Sequence, residues 1–268
     1  MSILPDHSSK NNEPFAACGM AAFDRSSRAC LSALLMSTIT TMVKFVVDFA
    51  KTGASPAPDG RLDAPAYHRN HDPIWSAIAQ FLSKQAGDVL ELGSGTGQHI
   101  ATFARRAPQL TWWPSDIYSS HLESIAAWRR HEDVPNLRAP QRIDLGSANW
   151  NWQADRSVGR PLAAILCFNV LHISPWLVSE NLLSGAGRLL RPDGRLFIYG
   201  PFMRDGSHTA PSNAAFDASL RAENPAWGVR DIAHLRAFGD KAGLALADVV
   251  PMPANNLVLA FARAVRQN

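Results

Sequence analysis

A short strand pattern, Asp88-Val-Leu-Glu-Leu92, runs straight into Gly93-Ser-Gly-Thr-Gly97, and a helical pattern opens at once behind it. Glycine is favoured where backbone must take a positive φ or approach another group with no Cβ in the way. Strand, glycine turn and helix N-terminus in that order point to an open α/β sheet. Such a sheet holds a nucleotide-like ligand at the carboxyl edge of its strands.

The rest of the chain repeats the alternation. Asp72-Pro73 reads as a cap and first helical residue, with Ile74, Trp75, Ile78, Phe81 and Leu82 on one face. Strands follow at Leu110–Trp113, ending in Pro114-Ser-Asp116, and as a third strand that ends in Arg142-Ile-Asp-Leu145. Leu162–Phe168 is apolar throughout, as suits a strand covered on both faces. Ser174-Pro175 caps a helix to Leu190, and Arg191-Pro-Asp-Gly194 is the turn into a strand at Arg195–Tyr199. A helix from Asp231 to Ala242 stops at Gly243. The last two strands, Leu244–Val250 and Leu257–Ala262, have no helix between them, so they pair antiparallel. The expected fold is α/β: a doubly wound, seven-stranded, mostly parallel sheet with an antiparallel last strand. By fold-level likeness it resembles the class I methyltransferase sheet more than the dehydrogenase one.

The loop chemistry agrees. A dinucleotide fingerprint needs glycine at position 98, where this chain has Gln98. Glu91 would repel a pyrophosphate but suits the ammonium and sulfonium of S-adenosylmethionine. That cofactor is therefore expected at Glu91, Gly93, Ser94, Gly95 and Gly97. Asp116, ending the second strand, is placed to take both ribose hydroxyls, or else to cap the next helix. Asp144 sits where related enzymes accept the adenine amino group, although an Asp-Leu-Gly loop also favours carboxylates for its own turn. After the fourth strand, Asn169 offers a donor and an acceptor to the cofactor. His172 is a candidate general base near neutral pH, or simply part of the site lining. Trp176, Phe202, Asn213, Phe216 and Trp227 are the candidate acceptor pocket; each aromatic could equally be core.

Several motifs in order resemble the methyltransferase-like 26 proteins, also known as domain of unknown function 938. They are Asp63-Ala-Pro-Ala-Tyr-His-Arg-Asn-His-Asp-Pro-Ile74, Glu91-Leu-Gly-Ser-Gly-Thr-Gly-Gln-His99, Pro114-Ser-Asp116, Asn169-Val-Leu-His-Ile-Ser-Pro-Trp176 and Tyr199-Gly-Pro-Phe202. The likeness extends through Asn224-Pro-Ala-Trp-Gly-Val-Arg-Asp231 and starts near Asp59. It implies a class I fold and S-adenosylmethionine, but no particular acceptor. It also implies an N-terminal element over the cofactor, carrying Arg69, which would meet the cofactor carboxylate, and Asn70.

Residues 1–58 stand apart from the domain expected over 59–268. They are polar and patternless to Arg28, and then carry an uncharged run of 13 residues, Leu31–Val43. That run is short for a membrane span and begins too deep for a secretory signal, so an extension with a short helix is expected. Net charge is +3 with no Lys/Arg block, so nucleic acid is not an expected partner; neither is a membrane. Cys18, Cys30 and Cys167 form neither a paired framework nor a zinc pattern, so no metal is expected and a reducing cytoplasm fits. The leading expectation is a methyltransferase for a small molecule. The competing ones are a non-catalytic S-adenosylmethionine-binding partner protein and, further off, a nicotinamide-dependent oxidoreductase. A nucleic-acid methyltransferase fits less well, because the chain lacks an Asn/Asp-Pro-Pro-Tyr/Phe motif.

Overall fold

The computed structural model describes residues 56–150, 152 and 161–264. The expected short helix across Leu31–Val43 lies outside them. The described strands are β1 (Gly87–Leu92), β2 (Leu110–Asp116), β3 (Gln141–Arg142), β4 (Leu162–Phe168), β5 (Leu190–Arg204), β6 (Ser207–His208), β7 (Arg230–Asp231), β8 (Leu244–Met252) and β9 (Asn256–Arg263). The helices are α1 (Pro65–Leu82), α2 (Gln98–Arg106), α3 (Ser119–Glu132), α4 (Trp176–Leu189), α5 (Pro211–Glu223) and α6 (Ile232–Lys241).

Seven strands form the sheet in the order β3-β2-β1-β4-β5-β9-β8, with β6 and β7 as short additions on β5. β1 to β5 are mutually parallel, and β9 runs antiparallel to both β5 and β8. The reversal follows from chain length: only Pro253–Asn255 separates β8 from β9, far short of a parallel crossover. This is the class I methyltransferase arrangement.

Both sheet faces are covered, and β4 at the centre is buried along its whole length. One face packs Leu90, Leu92, Ile165, Leu196 and Ile198 under α4 and α6. The other packs Val89, Leu166, Phe197 and Val258 under α1 and α2.

Local detail departs from the sequence reading in three places. α1 starts at Pro65, not Pro73, which lies inside the helix. Asn70, Ile74, Ile78 and Leu82 form one buried stripe through Pro73. Each fully buried apolar side chain there contributes about 1.5–3 kcal/mol, against roughly 3 kcal/mol for an interior proline. Packing outweighs the break. Ser174 does not cap α4; its hydroxyl donates to the Leu171 carbonyl at 3.1 Å, and the helix opens behind Pro175. Arg191–Gly194 is not a free turn either. β5 already pairs at Leu190 with Leu162, and the ladder resumes at Arg195 with Ala164, so those four residues bulge within the strand.

Candidate functional site

The carboxyl ends of β1, β2, β4 and β5 bring most of the expected residues together. Gly93, Gly95 and Gly97 all take positive φ, at 72°, 55° and 90°. Their surroundings differ. A Cβ on Gly93 would meet Val170 Cγ2 at 2.5 Å, and one on Gly97 would meet the Ile125 Cα at 2.9 Å. A Cβ on Gly95 would meet nothing within 4 Å. Packing therefore explains the outer two glycines, while the middle one faces open space.

The end of β2 holds this loop. Ser94 donates its amide to the Ser115 carbonyl at 2.8 Å, and the Ser115 hydroxyl donates to the Glu91 carbonyl at 2.7 Å. Asp116 accepts the Gly95 amide on Oδ2 at 2.9 Å and the Tyr118 amide on Oδ1 at 3.0 Å. His121 Nδ1 lies 3.0 Å from the same Oδ1. The acid expected at the ribose is thus also the anchor of the glycine loop.

Gln98 has a role the spacing could not disclose. Buried at 2% exposure, it accepts the Ala64 amide at 2.8 Å and donates to Asp63 at 2.6 Å. The position that a dinucleotide site gives to glycine here ties the start of α1 to the loop.

Glu91 is 2% exposed, and its Oε2 has no hydrogen-bond partner among the described residues. Burial pushes its carboxyl up to about 7; a hydrogen bond from Ser94 opposes this and the neighbouring Asp116 adds to it. An orphaned carboxyl oxygen on the strand that leads into the glycine turn fits a small cationic ligand group.

α1 closes over the same edge. Asn70 is buried, and its Oδ1 pairs with His99 Nε2 at 2.8 Å; the Tyr199 hydroxyl accepts from Asn256 Nδ2 at 3.1 Å. Burial, helped by His71, pushes His99 down to about 3, so its imidazole is neutral and donates to the Asn70 oxygen. Arg69 is exposed and acts electrostatically on Tyr199. Asn169 ends β4 at φ 58°, a left-handed conformation uncommon outside glycine, and donates its amide to the Tyr199 carbonyl at 2.9 Å.

His172 lies in a short 3-10 turn (Leu171–Ile173), 8% exposed and edge-on to Phe216 at 5.4 Å. Its Nδ1 would lie 3.3 Å from a Cβ on Gly200, so that glycine makes room for the ring. Burial, then the Arg230 charge, pushes the imidazole down to about 4, and neither ring nitrogen bonds to a described residue. Phe216 is 39% exposed and free to meet a ligand. The other pocket candidates are more committed. Phe202 is packed in the core under α4 and α6. Asn213 Nδ2 donates to Thr209 and to the Asn255 carbonyl, both at 3.0 Å, fastening α5 to the β8–β9 turn. Trp176 donates to Glu180 at 2.7 Å. Trp227 is buried, with its indole N–H unpartnered among the described residues. Asp144 is exposed, and its Oδ1 accepts the Gly146 amide at 2.7 Å, the turn chemistry weighed as its alternative role.

Sequence reasoning passed over Ile117, whose side chain is 38% exposed directly after Asp116, and also His99, Tyr199 and Arg230. An isoleucine following an edge carboxylate was the available signal for the first. The others depend on long-range contacts.

Residues 61–263 match the model of a family described as protein of unknown function, DUF938. Solved structures share the fold. An O-methyltransferase family protein from Burkholderia thailandensis superposes with TM-score 0.58 and 18% identity, over 72% of this chain and 57% of that one. An O-methyltransferase family 2 protein from Planctomyces limnophilus, in complex with apigenin, gives 0.56 and 18%, over 73% and 62%. PigF with SAH gives 0.58 and 11%, over 71% and 55%. The chain thus spans only 55% to 62% of the length of these three.

Proposed function

From the premise that this chain belongs to the DUF938 family, we propose that it is an S-adenosylmethionine-dependent methyltransferase acting on an oxygen of a small molecule. The observation that carries this is the pairing of an open glycine, Gly95, with the buried, half-orphaned carboxylate of Glu91 at the carboxyl end of β1. Support for oxygen as the acceptor atom comes from neighbours that are themselves described as O-methyltransferase family proteins. The closer resemblance to methyltransferase-like 26 proteins belongs to the same proposal. So does a cytoplasmic setting, on the unpaired cysteine pattern. Among the described residues, no helix is long and apolar enough to cross a membrane.

In this reading Gly93 to Gly97 shape the backbone against the cofactor, and Glu91 meets its ammonium. Asp116 faces the ribose while holding Gly95, and Ile117 offers an apolar face to the adenine. Asp144 lies toward the adenine amino group. Asn70 and Arg69 cover the aminoacyl end, and Asn169 supplies a donor and an acceptor at the β4 end. Bound there, S-adenosylmethionine supplies a methyl group on an already activated leaving group. The protein's own task is then alignment and exclusion of water. His172, with Phe216 edge-on to it, lines the acceptor side as a neutral hydrogen-bonding ring, and Trp176 stays a candidate for the same side. With its proton affinity this low, it is a poor base for an alcohol.

Thermal unfolding with S-adenosylmethionine, S-adenosylhomocysteine or NADH is the test. At a hundredfold excess over Kd a ligand adds about 2.7 kcal/mol, several degrees in Tm. The first two should stabilise the protein and NADH should not; stabilisation by NADH alone would overturn the reading. Transfer of labelled methyl into a small-molecule extract then separates an enzyme from a cofactor-binding partner protein.

A further inference from the structure

Arg230 is 8% exposed and carries a charge that no described carboxylate neutralises. Its Nε donates to the Leu171 carbonyl at 3.0 Å. One terminal nitrogen donates to the Ser174 and Ala226 carbonyls, and the other has no described acceptor. Asp217, the acid whose charge acts on it, is already engaged. It accepts the Val229 amide at 2.6 Å and Arg221 Nε at 3.0 Å, and lies 3.5 Å from His208. Burial and the Arg221 charge pull Arg230 down to about 10, the direction expected of a cation short of counter-charge. A buried cation met only by carbonyl dipoles is costly unless something else compensates it.

This cation sits against the acceptor side. Two of the three carbonyls it grips, those of Leu171 and Ser174, flank His172, and the Gly228 amide donates to the His172 carbonyl at 3.0 Å. The same region holds two more groups in need of partners: the nine-tenths-buried His172 ring and the unpartnered Trp227 indole N–H. All three can donate to an oxygen anion: Arg230 by charge, Trp227 and neutral His172 by N–H. The half-exposed face of Phe216 beside His172 suits a flat body behind that oxygen.

We propose that the acceptor site recognises a molecule whose reacting oxygen is already an anion, a carboxylate or an acidic enol or phenol, with Arg230 as its counter-charge. This rests on the methyltransferase reading and narrows its substrate class. Such an acceptor has no proton to lose. An anion and a sulfonium become a neutral ester or ether and a neutral thioether, so charge balances without a base, and His172 acts as a donor and positioning group.

The test uses the full chain saturated with S-adenosylhomocysteine. Benzoate, benzamide and benzylammonium are compared by thermal shift, and by the His172 ring NMR signal, identified by its loss in His172→Asn. Benzoate is expected to bind roughly tenfold or more tightly than benzamide, the usual gain of a charge-assisted hydrogen bond, and to move the His172 signal. Arg230→Gln should remove that preference while Arg230→Lys keeps part of it. Should Arg230→Gln fail to fold, the wild-type benzoate-to-benzamide ratio and the His172 shift decide. A ratio near one, or a preference for benzylammonium, overturns the proposal.

In the transfer arm, a small-molecule extract is split on an anion exchanger before incubation with labelled methyl donor. Label should enter the retained pool. Mild alkali then releases it as methanol from carboxylate esters but not from ethers, which separates the two sources. Label confined to amines or neutral compounds also overturns the proposal. If no pool takes label, the methyltransferase reading fails instead, and the benzoate comparison still decides whether the anion site exists.

Discussion

The Asp116 carboxylate accepts the amide of Gly95 at 2.9 Å, so the acid ending β2 holds the one loop glycine that faces open space. Asp116→Ala should therefore act twice. Removing a 5% exposed hub of amide acceptors leaves the Gly95 and Tyr118 N–H groups without their partner, at a cost of about 2–4 kcal/mol. Cofactor affinity should fall by more than that loss of stability explains. Urea unfolding and calorimetric titration with S-adenosylhomocysteine measure the two separately. Asp116→Asn, which keeps an acceptor oxygen, should recover most of the stability.

The glycines make a sharper contrast. Gly97→Ala places a Cβ 2.9 Å from the Ile125 Cα at φ 90°, which should cost about 2–4 kcal/mol through strain and overpacking. Gly95→Ala meets no atom within 4 Å, so only its φ of 55° opposes it, at about 1–2 kcal/mol. On the methyltransferase reading, its Cβ points into space that S-adenosylmethionine would fill. Thermal unfolding should rank Gly97→Ala as the less stable variant, and titration should rank Gly95→Ala as the weaker binder at temperatures where both are folded.

Whatever repeats along the chain was legible. The strand–helix alternation gives the parallel strands, and the missing crossover before Leu257 gives the reversed one. The glycine turn was legible because strand, glycines and helix start are contiguous in the chain, and Gly93, Gly95 and Gly97 all take positive φ. Illegible were the residues whose roles depend on partners far along the chain. Gln98 served only as a missing glycine, yet it holds Ala64 and Asp63. Asn213 and Phe202 were assigned to a pocket by position, whereas one fastens a turn and the other fills the core. Arg230 carries no local signal, since its partners are carbonyls of residues 171, 174 and 226. Pro73 misled the start of α1 because a local rule competed with a buried stripe that only tertiary packing supplies.

Glu91 makes stability depend on pH. Its folded value, about 7, lies above the ordinary 4.5, so its contribution is fully present below pH 4.5 and is lost as pH rises through about 7. Across that window Glu91→Gln should gain roughly 3 kcal/mol relative to wild type. His172 and His99, pushed down to about 4 and about 3, work in the opposite sense: their contributions are lost as pH falls below the ordinary 6.5. The difference between variant and wild type, not the raw curve, is therefore the measurement. A cationic cofactor favours the ionised carboxylate, so binding at pH 6 should release a proton, seen as a buffer-dependent heat. Equal release by Glu91→Gln would place that titration elsewhere.

Asn70 links α1 to α2 through His99. Asn70→Ala removes the acceptor for His99 Nε2–H in a largely buried setting, for about 1–3 kcal/mol. The loss should be local. Ile74, Ile78 and Leu82 stay buried and hold the second half of α1, whereas the first half relies on Asn70, on the contact of Tyr67 with Thr102 at 2.7 Å and on the hold of Gln98 on Ala64 and Asp63 at its start. Hydrogen exchange should therefore show faster amides over residues 67–72 and unchanged ones over 76–82. If α1 covers the cofactor, bound S-adenosylhomocysteine should slow the first group in wild type and do so less in Asn70→Ala. A uniform change along α1 would instead mean that the helix opens as one unit and that Asn70 only adds to its overall stability.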